Sequence, residues 1–341
     1  MPLRRLLVVS VLLGTPALCH AWDYEGHRII NQLALAGLPA DFPAFVRTSE
    51  AAARIVFLSG EPDRWRNQPD LPLKQVNGMD HYLDIEQLTT AGFTSETVSP
   101  LRYEFATQFA TARAQHPEKF PIIDLAKNAD HSREWPGFLP WAITENYAKL
   151  KSAFSSLKAY QEAGTPVEIA NAHANALYVM GVMGHYVGDG AQPLHTTIHT
   201  NGWIGDNPHG YTTWNRFHAW IDGGFIGKIG LQFSDVSPKA RAAKVLVGPP
   251  EPEQRDPMFD AVMHYLLVQH ERVVPLYELD KARKLKADSA ENNGEGRAFF
   301  EEQFLRGGEM LGSIWLTAWR NSGPDTYLRT QLLKRQSTAT P

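Results

Sequence analysis

Residues 169–188 read IANAHANALYVMGVMGHYVG, and this stretch decides the fold class. Nearly every position in it is small or apolar, and glycines occupy positions 181, 184 and 188. A helix that is apolar all round is buried on most sides, and glycines let neighbouring elements approach its backbone closely. The stretch therefore predicts a central helix enclosed by other helices.

The rest of the chain is dominated by helical periodicity. Apolar positions recur at three- and four-residue spacing in seven segments, whereas alternating apolar and polar runs are few and short. These segments are 25–37, 45–57, 100–115, 140–162, 166–188, 256–275 and 296–320. Clusters of proline and glycine mark loops rather than linkers between domains. We expect a single all-α, mainly helical domain over 22–325, followed by a frayed polar tail over 326–341.

The amino terminus has the pattern of a secretory signal peptide. A positive pair, Arg4-Arg5, precedes the apolar run 6–13, and the small residue Ala21 suits a cleavage site. Lipidation of Cys19, the alternative, is disfavoured because Leu18 occupies a position where a small residue is expected. We expect cleavage after Ala21 and export to the periplasm or the extracellular medium. The mature chain would then contain no cysteine, so neither disulfides nor thiolate ligands are expected.

Composition narrows the classes of function further. The chain has 341 residues, with 33 Lys+Arg against 37 Asp+Glu, and no low-complexity tract. This balance excludes binding of nucleic acid through a broad cationic surface. No later run of 18 apolar residues is present, so stable membrane insertion is not expected. Nothing in the sequence implies a protein partner.

Histidine and aspartate recur at the end of the apolar stretch. His185 and Asp189 lie one helical turn apart, and an unpaired carboxylate in such a buried setting would cost several kcal/mol. Either an arginine or a metal ion must compensate it. His195 follows closely, and His218 and Asp222 repeat the four-residue spacing. An imidazole and a carboxylate at i and i+4 can offer two ligands to one zinc ion, although a single such pair is weak evidence.

The string from position 185 to 195, H-Y-V-G-D-G-A-Q-P-L-H, resembles the signature H-x-x-G-D-x-x-Q-P-x-H of the zinc-dependent phospholipase C and single-strand nuclease superfamily. Four shorter motifs of that superfamily occur in the same order, and the closest similarity is to the S-one/P-one type nucleases. They are W-D-Y-E-G-H (22–27), E-P-D-R-W-R (61–66), D-H-Y-L-D (80–84) and F-H-A-W-I-D (217–222).

The resemblance implies a cleft that holds three zinc ions as cofactors. One ion would be bound by Asp63, His81, His185 and Asp189. A second would be bound by His27, by Asp189 as a bridge, and by the free amine and carbonyl of Trp22. The third would be bound by His195, His218 and Asp222.

It also implies roles for other residues. A zinc pair sharing Asp189, with Asp63 on one ion, would activate water for attack on phosphorus, and Arg66 would stabilise the developing negative charge. Arg66 can also be read as a solvated surface residue. Tyr82 would stack on a nucleobase and Asp84 would accept a hydrogen bond from it. The alternative is that Tyr82 belongs to the core and Asp84 caps a turn.

The function implied is an exported phosphodiesterase that cleaves single-stranded DNA or RNA to 5′-phosphorylated products, with 3′-nucleotidase activity as an extension. A phospholipase C acting on phospholipid headgroups is the first alternative, and a non-catalytic zinc-binding protein is the second. The loop 201–214 departs from the nuclease pattern and leaves the substrate open. Asp222 and the short spacing from Trp22 to His27 favour the nuclease branch.

Overall fold

The computed structural model describes residues 24–249, 251, 255–286 and 294–339. The expected signal peptide and Trp22 lie outside these residues, and so do residues 287–293. The described part of the chain contains helices and no strand, which confirms the all-α fold class. No helix within it combines the length and the apolar character needed to cross a bilayer.

Each of the seven segments predicted from periodicity overlaps at least one helix, and several short helices lie between them. The helices are α1 (Tyr24–Gly37), α2 (Ser49–Leu58), α3 (Glu61–Arg66), α4 (Leu71–Met79), α5 (Ile85–Thr90), α6 (Arg102–Gln115), α7 (Leu139–Ala163), α8 (Pro166–Ala191), α9 (Phe217–Ala219), α10 (Ile226–Ile229), α11 (Phe233–Val236), α12 (Pro257–His270), α13 (Val273–Lys281), α14 (Gly294–Asn321) and α15 (Thr326–Ala339). A π-helical turn, Trp220–Phe225, joins α9 to α10.

Helix α8 is the central element, as the apolar stretch predicted. It begins with a capping box in which the Thr165 and Glu168 side chains satisfy each other's backbone N–H groups. Every residue from Met180 to Ala191 is buried. Helices α1, α2, α7, α12 and α14 pack around it. The site described below lies at its carboxyl end.

Two glycines of α8 allow helix α1 to approach closely. A Cβ at Gly184 would lie 1.7 Å from the Asn31 side chain, and one at Gly188 would lie 2.7 Å from the His27 ring. The Asn31 amide donates to the carbonyls of Ile55 and Gly181, at 2.9 and 3.2 Å, and so ties α1 to both α2 and α8. His27 is thereby held against the carboxyl end of α8.

The carboxyl terminus corrects an expectation. Residues 326–341 were expected to be a frayed polar tail, but Thr326–Ala339 form helix α15, which packs on α7. Leu332 is buried against Ala159 and Ala163, and Arg329 and Arg335 form two-pronged ion pairs with acidic residues near the end of α7 and the start of α8. The helix has too few apolar residues to show a periodic pattern, so only its tertiary contacts reveal it.

The predicted segment 256–275 also differs from the structure, because it contains two helices rather than one. Helix α12 ends at His270 and α13 begins at Val273. Apolar spacing continues across the break because residues on both sides face the same core, and periodicity alone does not detect such a change of direction.

Candidate metal centre

Helices from distant parts of the sequence bring the expected ligands together at the carboxyl end of α8. Helix α8 itself carries two of them, one turn apart. The others come from α1, α3, the residues after α4, the turn after α8, and the segment formed by α9 and the π-helical turn. The eight described ligands are His27, Asp63, His81, His185, Asp189, His195, His218 and Asp222, all on converging elements. The ninth, Trp22, lies outside the described residues.

Asp189 and Asp63 stand at the middle of the first group. The Nε2 atom of His185 lies 3.3 Å from Asp189 Oδ2 and 3.8 Å from Asp63 Oδ1. His81 Nε2 lies 3.6 Å from Asp63 Oδ1, and His27 Nε2 lies 3.6 Å from Asp189 Oδ1. Asp189 thus contacts candidate ligands from both of the sets that the resemblance implies for separate ions, as a bridging residue must.

Backbone carbonyls orient the imidazole rings. His185 Nδ1 lies 2.7 Å from the Ser59 carbonyl, and His81 Nδ1 contacts the Asn77 carbonyl. A carbonyl oxygen only accepts, so each Nδ1 carries the proton, and each Nε2 presents a lone pair to the carboxylates. Carbonyls that fix the tautomer in this way are the usual outer partners of metal-bound histidines.

Several buried atoms of this group have no hydrogen-bond partner. They include Nε2 of His81, Nε2 of His185 and both carboxylate oxygens of Asp189, which is fully buried. Burial raises the pKa of Asp189 well above its ordinary value, and Asp63 and Asp222 add to the rise. A buried polar group without a hydrogen-bond partner is destabilising, and divalent cations bound among these residues would satisfy such atoms.

The same burial keeps the imidazoles neutral. It lowers the pKa of His81 to about 4 and that of His185 to about 3. For Asp63, burial alone would raise the pKa, but His185, His81 and Arg66 together outweigh it and hold the pKa below its usual range. Neutral imidazoles and ionised carboxylates are the forms that bind metal ions.

A second group of ligands lies beside the first. His195 Nε2 is 2.9 Å from His218 Nε2, and His218 Nε2 is 2.6 Å from Asp222 Oδ2. The Nδ1 atom of His195 donates to the His81 carbonyl at 2.6 Å, so its Nε2 has a lone pair directed at another ring nitrogen. A metal ion is well suited to such converging lone pairs. The set is the one that the sequence assigned to the third ion.

Gln192 supports a candidate ligand and received no role from the sequence patterns. Its amide nitrogen donates to Asp222 Oδ1, and its amide oxygen accepts from the backbone N–H of Leu194 at 3.0 Å. It therefore orients Asp222 towards His218. Its place inside the signature, three residues after Asp189, was the signal that could have identified it.

Arg66 lies at the centre rather than in solvent. Its guanidinium contacts Asp63 Oδ1 at 2.7 Å, and its side chain is only 19% exposed. Its charge also acts on Asp189, His195 and Asp222. The interpretation of Arg66 as a solvated surface residue is wrong, and a cation held here can attract a phosphoryl oxygen.

Tyr82 and Asp84 follow His81 on a segment whose backbone is hydrogen-bonded to the turn that carries His195. Leu83 N donates to the His195 carbonyl at 2.9 Å. Tyr82 and Asp84 are both partly buried, and Asp84 accepts from the Gln87 side chain at 2.7 Å. Although Asp84 precedes α5, its carboxylate accepts no backbone N–H there, and burial raises its pKa to about 7.

Aromatic stacking organises the loop 201–214. Trp203 stacks on His199 with ring centroids 3.8 Å apart, and the Tyr277 hydroxyl donates to the His199 carbonyl at 2.5 Å. Ile204 and Trp214 remain 47% and 45% exposed. The loop thus exposes apolar side chains in the segment that precedes the candidate ligand His218 in the sequence.

Three groups of buried or partly buried residues can each hold a metal ion, because their ligand atoms lie within 4.8 Å of one another. They are His27, Asp63 and His185; His81, His185 and Asp189; and His195, His218 and Asp222. Comparison of the chain with protein-family models and with curated proteins found no match. The capacity to bind metal is therefore argued from the geometry of this chain.

Proposed function

We propose that the protein is a zinc-dependent phosphodiesterase that hydrolyses single-stranded DNA or RNA to 5′-phosphorylated products. The observation that carries this proposal is Asp189, a fully buried carboxylate with two partnerless oxygens between two groups of histidines. Nitrogen and oxygen ligands without thiolates are those of hydrolytic zinc sites. We further propose three ions per chain, with Trp22 completing the ligand set, and export after cleavage at Ala21.

Bound zinc would lower the pKa of a coordinated water molecule and so supply hydroxide at neutral pH. The residues of the chain determine where this happens. Asp189 would hold two neighbouring metal ions together. The Ser59 carbonyl keeps the His185 ring in the tautomer that binds metal, and the Asn77 carbonyl does the same for the His81 ring. Arg66 stands beside Asp63, where its charge stabilises the negative charge that builds on phosphorus during attack.

Nucleic acid is favoured as substrate by the position of Tyr82 and Asp84. Both belong to the segment that carries the ligand His81, so a base held by them would lie close to a phosphodiester at the metal centre. Asp84, with its pKa raised to about 7, can accept a hydrogen bond when ionised or donate one when protonated.

A phospholipase C is the second candidate, and the loop 201–214 favours it. Ile204 and Trp214 of this loop are half exposed, and the loop ends four residues before His218 in the sequence. Exposed apolar and tryptophan side chains of this kind can contact a lipid surface.

The test is an assay of zinc-loaded protein on single-stranded DNA, on phosphatidylcholine and on bis-nitrophenyl phosphate, with zinc counted by elemental analysis. We expect three equivalents of zinc and rapid cleavage of DNA. Tyr82→Ala should slow DNA cleavage more than cleavage of the small diester, and Tyr327→Ala, 75% exposed on α15, is the matched control. Cleavage of the lipid alone would support the phospholipase, and bound zinc without hydrolysis of any substrate would refute an enzyme.

A further inference from the structure

A cavity of about 620 Å³ is enclosed by residues of α3, α4, α6, α7 and α8, beside the metal centre. Its volume falls in the range of small-molecule sites. Aromatic side chains from several elements line it, namely Trp65, Tyr103, Trp135, Tyr178 and Tyr186. None of the described residues proposed to bind zinc lines this cavity, and neither Tyr82 nor Asp84 lines it.

Three of these aromatic side chains have neither an aromatic ring partner nor a side-chain hydrogen bond among the described residues, although Trp65 packs on the edge of the hydrophobic core. Trp65, Tyr103 and Tyr178 make no ring contact there, and neither the Trp65 indole N–H nor the two hydroxyls make a hydrogen bond. Tyr103 is 86% exposed at the rim, and Tyr178 is 41% exposed. Large aromatic surfaces left open around a cavity are suited to stacking on a flat ring.

The charged groups in the cavity wall balance one another. Arg102 contacts Asp80 at 2.5 Å and Glu145 at 2.7 Å, and Lys149 balances the remaining negative charge. Because the site has no excess charge of either sign, it favours a neutral ligand over a phosphate or a cation.

Two amide oxygens are free to recognise the edge of such a ligand. Asn77 and Asn146 each donate their side-chain nitrogen to a carbonyl of their own helix at 2.8 Å. No described residue donates to either amide oxygen. Both residues line the cavity and are nearly buried, so their oxygens can accept from ring N–H or amino groups.

One turn of chain joins this cavity to the metal centre. Met79 and Asp80 line the cavity, and the next residue, His81, is a proposed ligand. The Tyr186 ring in the cavity wall lies 5.9 Å from the His81 ring, and Trp65 follows Asp63 by two residues. The cavity and the metal centre are therefore neighbours in the fold.

We propose that this cavity binds a nucleobase of the substrate strand at a distance from the phosphodiester that is cleaved. A neutral, flat ring with hydrogen-bond donors on its edge matches the open aromatic rings, the balanced charge and the free amide oxygens. The proposal rests on the proposed function, because the strand that supplies the base is its substrate. The cavity would make long strands bind better than dinucleotides.

Kinetics provide the first test, with Tyr103→Ala as the variant and Tyr327→Ala as the control. Tyr103 is so exposed that its removal leaves the core intact. Loss of one stacking partner should raise the KM for an oligonucleotide, relative to the KM for bis-nitrophenyl phosphate, about tenfold. An unchanged ratio, equal to that of Tyr327→Ala, would overturn the proposal.

Binding of adenosine to metal-free protein provides a second test that does not depend on activity. Trp65 and Trp135 line the cavity, so occupancy should change tryptophan fluorescence. In a Tyr82→Ala background, which lacks the other proposed base contact, adenosine should still bind, and adding Tyr103→Ala should weaken it about tenfold. Binding of methyl glucoside in place of adenosine would show a sugar site and overturn the proposal.

These two tests separate failure of the cavity assignment from failure of the proposed function. A protein that cleaves no nucleic acid but binds adenosine through Tyr103 would refute the nuclease and retain the base-binding cavity. A protein that cleaves DNA with the same KM in Tyr103→Ala and binds no adenosine would retain the nuclease and refute the cavity assignment.

Discussion

Asp189→Asn should change the stability of the protein in opposite directions with and without zinc. In metal-free protein the carboxylate is fully buried, neither oxygen has a hydrogen-bond partner, and His185 beside it is neutral at pH 7. Arg66, the cation that acts on it, is paired with Asp63. An uncompensated buried charge costs on the order of 3 kcal/mol. A neutral amide at this position removes that cost, and it can donate to the free Nε2 of His185.

The expected shifts in melting temperature follow from these energies. In a chain of this size 1 kcal/mol corresponds to about 2 °C, so metal-free Asp189→Asn should melt about 6 °C higher than metal-free wild type. An ion present at a hundred times its Kd adds about 2.7 kcal/mol. Two ions that share Asp189 would raise the melting temperature of the wild type by about 10 °C. The Asp189→Asn variant should lose most of this increase.

Differential scanning calorimetry at pH 7, with a chelator and then with excess zinc, measures both effects. The metal-free advantage of the variant should shrink as the pH falls to about 4. Burial raises the pKa of Asp189, so its cost is present above the ordinary carboxyl pKa and disappears as the unfolded chain also becomes protonated. If Asp189→Asn melts lower than wild type without zinc, Asp189 is a partner in a structural network and the reasoning fails.

Three further predictions follow from the same centre. Gln192→Ala should weaken the binding of one of the three zinc ions about 10- to 100-fold, because the substitution frees Asp222 to rotate. Competition with a chelator measures these affinities, and three unchanged affinities would contradict the reasoning. Metal-free wild type should lose stability relative to metal-free His81→Gln as the pH falls from about 6.5 to about 4, since the pKa of His81 is lowered to about 4 and the unfolded wild-type chain takes up that proton first; a difference in melting temperature that stays constant over this range would contradict it. An alanine added before Trp22 should remove one zinc and most activity, because an amide nitrogen is a poor ligand, whereas three zincs in the extended chain would exclude the amine as a ligand.

Much of the centre could be predicted from the sequence because its ligands sit in local patterns. His185 and Asp189 share one face of a helix at a spacing of four residues, and the apolar character of α8 shows that this face is buried. The resemblance of the signature to a zinc-enzyme superfamily added His27, Asp63 and His81, and the structure brings all three to the same place. Zinc, its number and the substrate stay proposals.

Other features depend on contacts between distant residues. Helix α15 has too few apolar positions to be recognised, and it is stabilised by Leu332 and by ion pairs with residues more than 160 positions away. The role of Gln192 depends on Asp222, thirty positions later. The surroundings of Arg66 likewise depend on the packing of α3 against α8. The sequence around Arg66 therefore did not decide whether this residue is solvated or lies at the centre.

The sequence by itself determined the all-α class and the buried central helix, because both follow from residue type and from spacing within a helix. It also indicated candidate metal ligands, some from helical spacing and the others from the resemblance to a zinc-enzyme superfamily. The tertiary structure alone decided that eight of these candidate ligands converge, that the Asp189 carboxylate has no hydrogen-bond partner among the described residues, and that an aromatic cavity adjoins the centre. Convergence depends on close helix packing, as where Gly188 admits the His27 ring. Burial and hydrogen-bond partners are properties of that packing, which no local pattern specifies.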